Sequence, residues 1–130
     1  MSGSKKTDFP VPMRGNIRKF WEEREALNDT VLNNAGLVTK RFFNLDHQAY
    51  QDGALPVKTK ELLGLVASLV LRCDDCISYH IVRCKENGIT KEEVEEAMSI
   101  GLVVGGSITI PHLRRAFRAW DELQPEQPDK

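Results

Sequence analysis

Residues 58–88 read KTKELLGLVASLVLRCDDCISYHIVRCKENG, and this run decides the fold class. Its first half, residues 58–71, is too apolar beyond the opening turn to leave a solvated side, which predicts a buried central helix. A second helix can start at the cysteines, and Gly88 suits the left-handed position just past its end. Nothing in the run alternates apolar and polar residues as a half-buried strand does.

The same three- and four-residue apolar spacing continues on both sides. Upstream, Ile17, Phe20, Trp21, Leu27 and Val31 mark one amphipathic helix. After Gly36, Phe42, Phe43 and Leu45 mark another over residues 37–50, which Gly53 and Pro56 close. Downstream, Thr90 and Glu93 form a capping box ahead of Val94, Ala97, Met98 and Gly101 on one face. Gly105 and Gly106 stop that helix by a turn or by close packing. A last helix carries Leu113, Phe117 and Trp120, with Pro111 in its first turn. The fold class is therefore all-α: a single-domain bundle of about six helices over residues 14–123, flanked by flexible, proline-bearing tails at 1–13 and 124–130. Met13, Met98, Phe42, Phe43, Trp21 and Trp120 fall at spacings that suit a core or a subunit interface.

A chain of 130 residues fits one domain. With 18 Lys and Arg against 19 Asp and Glu, no global field draws it to nucleic acid or to an anionic membrane. No apolar run is long enough to span a membrane, and the opening MSGSKKTDFPVP lacks a secretory apolar region, so a cytoplasmic location is expected. Three cysteines are a poor framework for a stapled secreted fold, which leaves reactive or metal-binding thiols. No glycine-rich phosphate loop follows a strand, and no nucleotide or flavin cofactor is indicated.

On a helix, Cys76 lies about 60° from Cys73, and His80 and Cys84 each lie about 20° from it, so all four share a stripe. Thiols three residues apart can close a disulfide within one turn, and a helix N-terminus favours the thiolate. His80, four residues beyond Cys76, is placed to take or return a proton. Asp74 and Asp75 oppose a thiolate, and Arg72 compensates in part. Two plainer explanations compete. The pair can be half of a zinc site, for which only His80, Cys84, His47 and His112 offer further ligands. The stripe can also be a packing face with Ile77 and Ile81, and for Cys84 alone core filling is the better explanation.

Glu61, Cys73, Cys76 and His80 together spell E-x11-C-x2-C-x3-H. This resembles the signature of the alkylhydroperoxidase D-like branch of the carboxymuconolactone decarboxylase family, and ITKEEVEEAMSIGLVVGGSITIPHLRRA extends the likeness over residues 55–119, about half the chain. The resemblance implies a helical domain completed as a homotrimer or homohexamer and a site without cofactor or metal. Cys73 and Cys76 would be the redox pair, with Glu61 and His80 relaying the proton. A hydroperoxide or disulfide would be the substrate, and an external dithiol, a lipoylated protein or a thioredoxin-like donor, the reductant. Asp75 stands where the family often has histidine. On one straight helix Glu61 would lie about 18 Å from Cys73, so its implied role requires a break near Arg72, a helix packed back on itself, or a neighbouring subunit.

Two other functions fit the same chain. The family's other branch decarboxylates a muconolactone, and the candidates here to hold a carboxylate and move a proton are Arg114, Arg115, His112 and His47, which otherwise read as a solvated face. A non-enzymatic sensor would use the dithiol to register oxidation once rather than to turn over.

Overall fold

The apolar spacing resolves into six helices in the structure, a computed structural model that describes residues 8–124. They are α1 (Gly15–Asn34), α2 (Leu37–Ala49), α3 (Val57–Leu71), α4 (Asp74–Glu86), α5 (Lys91–Gly105) and α6 (Ile110–Asp121), with a 3₁₀ turn at Ser107–Thr109 before the last. Among the described residues there is no strand, and no helix is long and apolar enough to cross a membrane.

Local chemistry sets several boundaries. Thr90 and Glu93 make the reciprocal capping box that starts α5, a kind of cap worth about 1 kcal/mol. Gly106, at φ +81°, turns the chain out of α5. Pro111 lies in the first turn of α6. The start of α1 has no cap of its own. Instead the Glu122 carboxylate, from the far end of the chain, accepts the N–H groups of Asn16 and Ile17 at 2.9 and 3.0 Å.

Helix α3 is the centre, with α4 and α5 against it, α6 against α4, and α1 lying on α4. Leu65 and Leu69 of α3 meet Ile77, Ile81 and Met98 in a fully buried core. Truncating such a leucine to alanine costs roughly 2–5 kcal/mol, transfer and cavity terms together. Trp21, Trp120 and Met98 are core, as their spacing allowed.

Two expectations need correction. The packed part begins before residue 14: Met13 is buried, and Phe9 and Val11 lie against the core, because the prolines between them carry apolar neighbours onto it. The rest of both tails, residues 1–7 and 125–130, lies outside the described residues. Nor is the central helix covered all round. Leu63 and Leu71 are exposed, α2 buries no residue, and Val38 and Phe42 are 80% and 67% exposed. Among the described residues α3 is covered mainly by α4 and α5, and apolar residues of α5 itself, Ile100, Val103 and Val104, are left exposed.

Candidate active site

The site begins with the break between α3 and α4. Arg72 adopts a left-handed conformation (φ 60°, ψ 40°), which a residue with a Cβ occupies only at some cost. The N–H groups of Arg72 and Cys73 donate back to the carbonyls of Leu69 and Ser68 at 3.0 and 3.1 Å, satisfying the end of α3. The chain then reverses, and α4 packs back along α3. Cys73 becomes the N-cap of α4, its Sγ accepting the Cys76 N–H at 3.3 Å. Cys73 and Cys76 are joined as a disulfide, with Cα atoms 5.3 Å apart. The outer sulfur belongs to Cys76, which is exposed, whereas Cys73 is half-buried.

Folding back brings Glu61 to His80. Nδ1 of His80 lies 2.9 Å from Oε1 of Glu61, and both side chains are buried. A carboxylate accepts but does not donate, so the proton of this bond sits on Nδ1, and Nε2 is the ring nitrogen left for another partner. A buried carboxylate requires such partners. The second oxygen, Oε2, lies 3.4 Å from Nε of Arg83, an ion contact without hydrogen-bond geometry. Burial works against the Arg83 charge, but Glu86, Tyr79 and Glu61 outweigh it and hold its pKa above the ordinary value. The Tyr50 hydroxyl reaches His80 Nε2 at 3.3 Å. Burial, then the negative charges of Glu61 and Asp46, push the Tyr50 pKa up, so the phenol is a neutral donor to that nitrogen. Tyr79 packs edge-on to the imidazole, and its ring is nearly parallel to that of Trp21.

Gly64 makes room for this arrangement. A Cβ there would stand 2.6 Å from Cε1 and 2.8 Å from Nε2 of His80, and 2.7 Å from the Tyr50 hydroxyl. One turn beyond Glu61 on α3, the absent side chain is where the imidazole lies.

An open cleft of about 560 Å³ runs between α1, α2 and α4. Cys76 and His80 both line it, with Asp75, Tyr79, and Phe20 and Leu27 from α1. Cys84, two turns further along α4 than Cys76, is fully buried, and desolvation pushes its thiol up to about 12. The stripe read from the sequence thus runs from an exposed sulfur through a half-turned histidine into the core, and Cys84 is core.

Three of the four side chains weighed for holding a carboxylate have partners; Arg114 and Arg115 are exposed, as a solvated face requires, while His112 is half-buried. His112 Nδ1 lies 2.8 Å from one Asp74 oxygen and Arg115 Nε 3.0 Å from the other, tying α6 to the first residue of α4. His47 pairs with Gln51 on its own helix. Sequence reasoning missed Tyr50, Tyr79, Arg83 and Gly64. Arg83 sits three residues from His80, and Gly64 interrupts an apolar helix three residues from Glu61; both were visible signals. Tyr50 arrives from another helix and gave none.

Comparison with known proteins bears on this geometry. The model of the Carboxymuconolactone decarboxylase family matches residues 37–121. An uncharacterised protein of Cupriavidus necator is 31% identical over 75 residues, a match spanning 58% of this chain and 66%, just under two thirds, of that relative's length. A protein encoded in the cox locus of Paracoccus denitrificans is 28% identical over 86 residues, 66% of this chain and 78% of its own. Among solved structures, a Thermotoga maritima protein is 62% identical, with TM-score 0.80, 82% of this chain covered and 93% of that one. A second crystal structure from that organism, also 62% identical, with TM-score 0.77 and 81% and 89% of the two chains covered, is described as a protein of this family with a suggested part in antioxidative response. A Legionella pneumophila protein of the family, 23% identical with TM-score 0.77 over 82% and 96% of the two chains, shares the fold.

Proposed function

The chain belongs to the carboxymuconolactone decarboxylase family, and from that premise we propose that it is a thiol-dependent hydroperoxidase working through Cys73 and Cys76. The observation that carries this is one cleft holding both the outer sulfur of a Cys73–Cys76 pair and a histidine backed by a buried carboxylate.

In the reduced state, the Tyr50 hydroxyl gives up its bond to His80 Nε2, and that nitrogen takes the Cys76 proton while Glu61 steadies the resulting imidazolium through Nδ1. The Cys76 thiolate attacks a peroxide oxygen and the O–O bond breaks. The departing alkoxide collects the proton from His80 and leaves as the alcohol, with Cys76 oxidised to the sulfenic acid. The Cys73 thiol then attacks that sulfur, water leaves, and the disulfide closes. An external dithiol, a lipoylated protein or a thioredoxin-like donor, returns two electrons and two protons. When it opens the bond at the exposed Cys76, the leaving thiolate forms on Cys73. The Cys76 N–H already points at that sulfur, and the helix N-terminus favours the charge. A cytoplasmic setting, where dithiols are kept reduced, suits this cycle.

Assembly into a homotrimer or homohexamer is part of the proposal. It would cover the apolar residues of α2, α3 and α5 that one chain leaves open. The relative described as having a suggested part in antioxidative response supports the peroxidase reading. The family's name fits decarboxylation as well. The groups that reaction would use here, however, include His112 and Arg115, and both are committed to Asp74.

Turnover is the test. With catalytic protein, excess dithiothreitol and an organic hydroperoxide, many equivalents of peroxide should be consumed per chain, and Cys76→Ser should abolish this. Consumption that stops near one equivalent per chain would make the protein a sensor.

A further inference from the structure

We propose, building on the dithiol reading above, that the cleft over Cys76 sorts its co-substrates by charge, admitting neutral and cationic molecules and turning away anionic ones. Three carboxylates line it: Glu23 from α1, Asp46 from α2 and Asp75 from α4. Among the described residues none of the three is in an ion pair. The single guanidinium in the lining, Arg24, lies 2.9 Å from Glu25 and is stacked over the rings of Trp21 and Tyr79, 5.0 and 4.2 Å from their centroids. Its charge is thus spent on the cleft wall. Phe20 and Leu27 add apolar wall, and Asn28, Tyr79 and His80 complete the lining around Cys76.

The acidic field reaches the reacting groups. After burial, Asp46 is among the charges that push the Tyr50 pKa up, and Tyr50 touches His80. A molecule that approaches the Cys76 sulfur must enter this half-walled space, where charges are screened less than on open surface. Each carboxylate met at about 8 Å changes the approach rate of a unit charge severalfold, so replacing a cationic tail by an anionic one costs about tenfold or more. The favoured reductant is then a thiol whose tail is uncharged or basic, and the favoured peroxide is apolar and lacks a carboxylate.

The step to measure is opening of the disulfide. An external thiolate attacks Cys76 Sγ, a mixed disulfide forms and Cys73 leaves as a thiolate. A second external thiolate then attacks the mixed disulfide and leaves with the first as a small disulfide, and two electrons have passed to the protein. Oxidised full-length protein is mixed with cysteamine, 2-mercaptoethanol or 3-mercaptopropionate, and rates are expressed per thiolate. Each rate is divided by the rate of the same thiol on 2-hydroxyethyl disulfide, a neutral reference that removes intrinsic nucleophilicity. The normalised cysteamine-to-mercaptopropionate ratio should be about tenfold or more. It should shrink in 0.5 M salt, and fall at least threefold in Glu23→Gln/Asp46→Asn. Asp75 is left intact because its charge also acts on the thiols directly. A ratio near one, or a large ratio that the double substitution leaves unchanged, overturns the charge filter while the neutral thiol still opens the bond. If 2-mercaptoethanol does not open it either, the dithiol reading fails and the filter with it.

Discussion

Nδ1 of His80 stands 2.9 Å from Oε1 of Glu61, although nineteen positions separate them in the chain. The left-handed turn at Arg72 makes this contact by laying α4 back along α3. It gives the histidine a fixed tautomer and leaves Nε2 as the base. Replacing His80 by alanine should therefore slow alkylation of the reduced Cys76 thiol, and its oxidation by hydroperoxide, by about a hundredfold near neutral pH. Glu61→Gln should cost less, roughly tenfold, and should move the pH profile of the rate, which loss of packing alone would not do. Stopped-flow rates over pH 5–9, with circular dichroism as a folding control, check both.

Gly64→Ala separates site geometry from helix stability. Alanine is favoured over glycine within a helix by about 1 kcal/mol. The new Cβ would press on the His80 ring and the Tyr50 hydroxyl, however, and overpacking of that kind costs roughly 1–3 kcal/mol. The melting temperature should fall only slightly, while the Cys76 reaction rate drops by at least about tenfold, because the ring nitrogen is displaced. Equal retention of rate and stability would mean that His80 moves aside freely and does not need its present position.

Burial protects Cys84. With its thiol pushed up to about 12, native reduced protein at pH 8 should take up two iodoacetamide adducts, and the third of its three cysteines should react only in denaturant. The raised values of Cys84, Tyr50 and Tyr79 share a sign. Burial is the leading cause in each, so the native state holds protons that the unfolded chain releases. Their contribution to stability is complete below the unfolded values of 9.0 for the thiol and 10.0 for the phenols, and is lost above them as pH rises through each group's raised native value, about 12 for the thiol. The melting temperature should be level from pH 7 to 8.5 and fall by at least about 5 °C by pH 11. A flat profile to pH 11 would contradict the burial of these groups.

The open apolar face gives a prediction about assembly. Val38 and Phe42, both strongly exposed on α2, should be interface residues of the proposed oligomer. Light scattering should give a mass three or six times that of the chain for the wild type, and a smaller one for Val38→Glu/Phe42→Glu. A wild-type monomer would remove the proposed oligomer.

Much of the helical framework was legible because its signals are local. The Thr90–Glu93 box, Pro111 and the spacing around Gly36 and Gly88 each act within one or two turns. The cysteines and His80 were legible for the same reason, since one helix carries them. Glu61 entered only through its spacing in a motif, and the contact that unites it with His80 depends on the reversal at Arg72, a non-glycine residue that carries no turn signal. Gly64 was visible as a break in an apolar helix, but what it makes room for follows only from α4 folding over it. Asp74, His112 and Arg115 come together across 38 and 41 positions, which no periodicity reveals. The exposure of Leu63, Leu71 and Phe42 was illegible because an apolar residue reads the same whether its own chain or another one covers it.

The dithiol chemistry is best tested by weighing the intact protein. Reduced wild type, Cys73→Ser and Cys76→Ser are each given one equivalent of an organic hydroperoxide and measured with and without alkylation. The wild type should lose two hydrogens and two alkylation sites, with peptide mapping placing the new bond between Cys73 and Cys76. Cys73→Ser should stop at a sulfenic acid on Cys76, and Cys76→Ser should stay unreacted. A wild type that keeps both thiols free after peroxide, while remaining folded, would contradict a redox role for the pair.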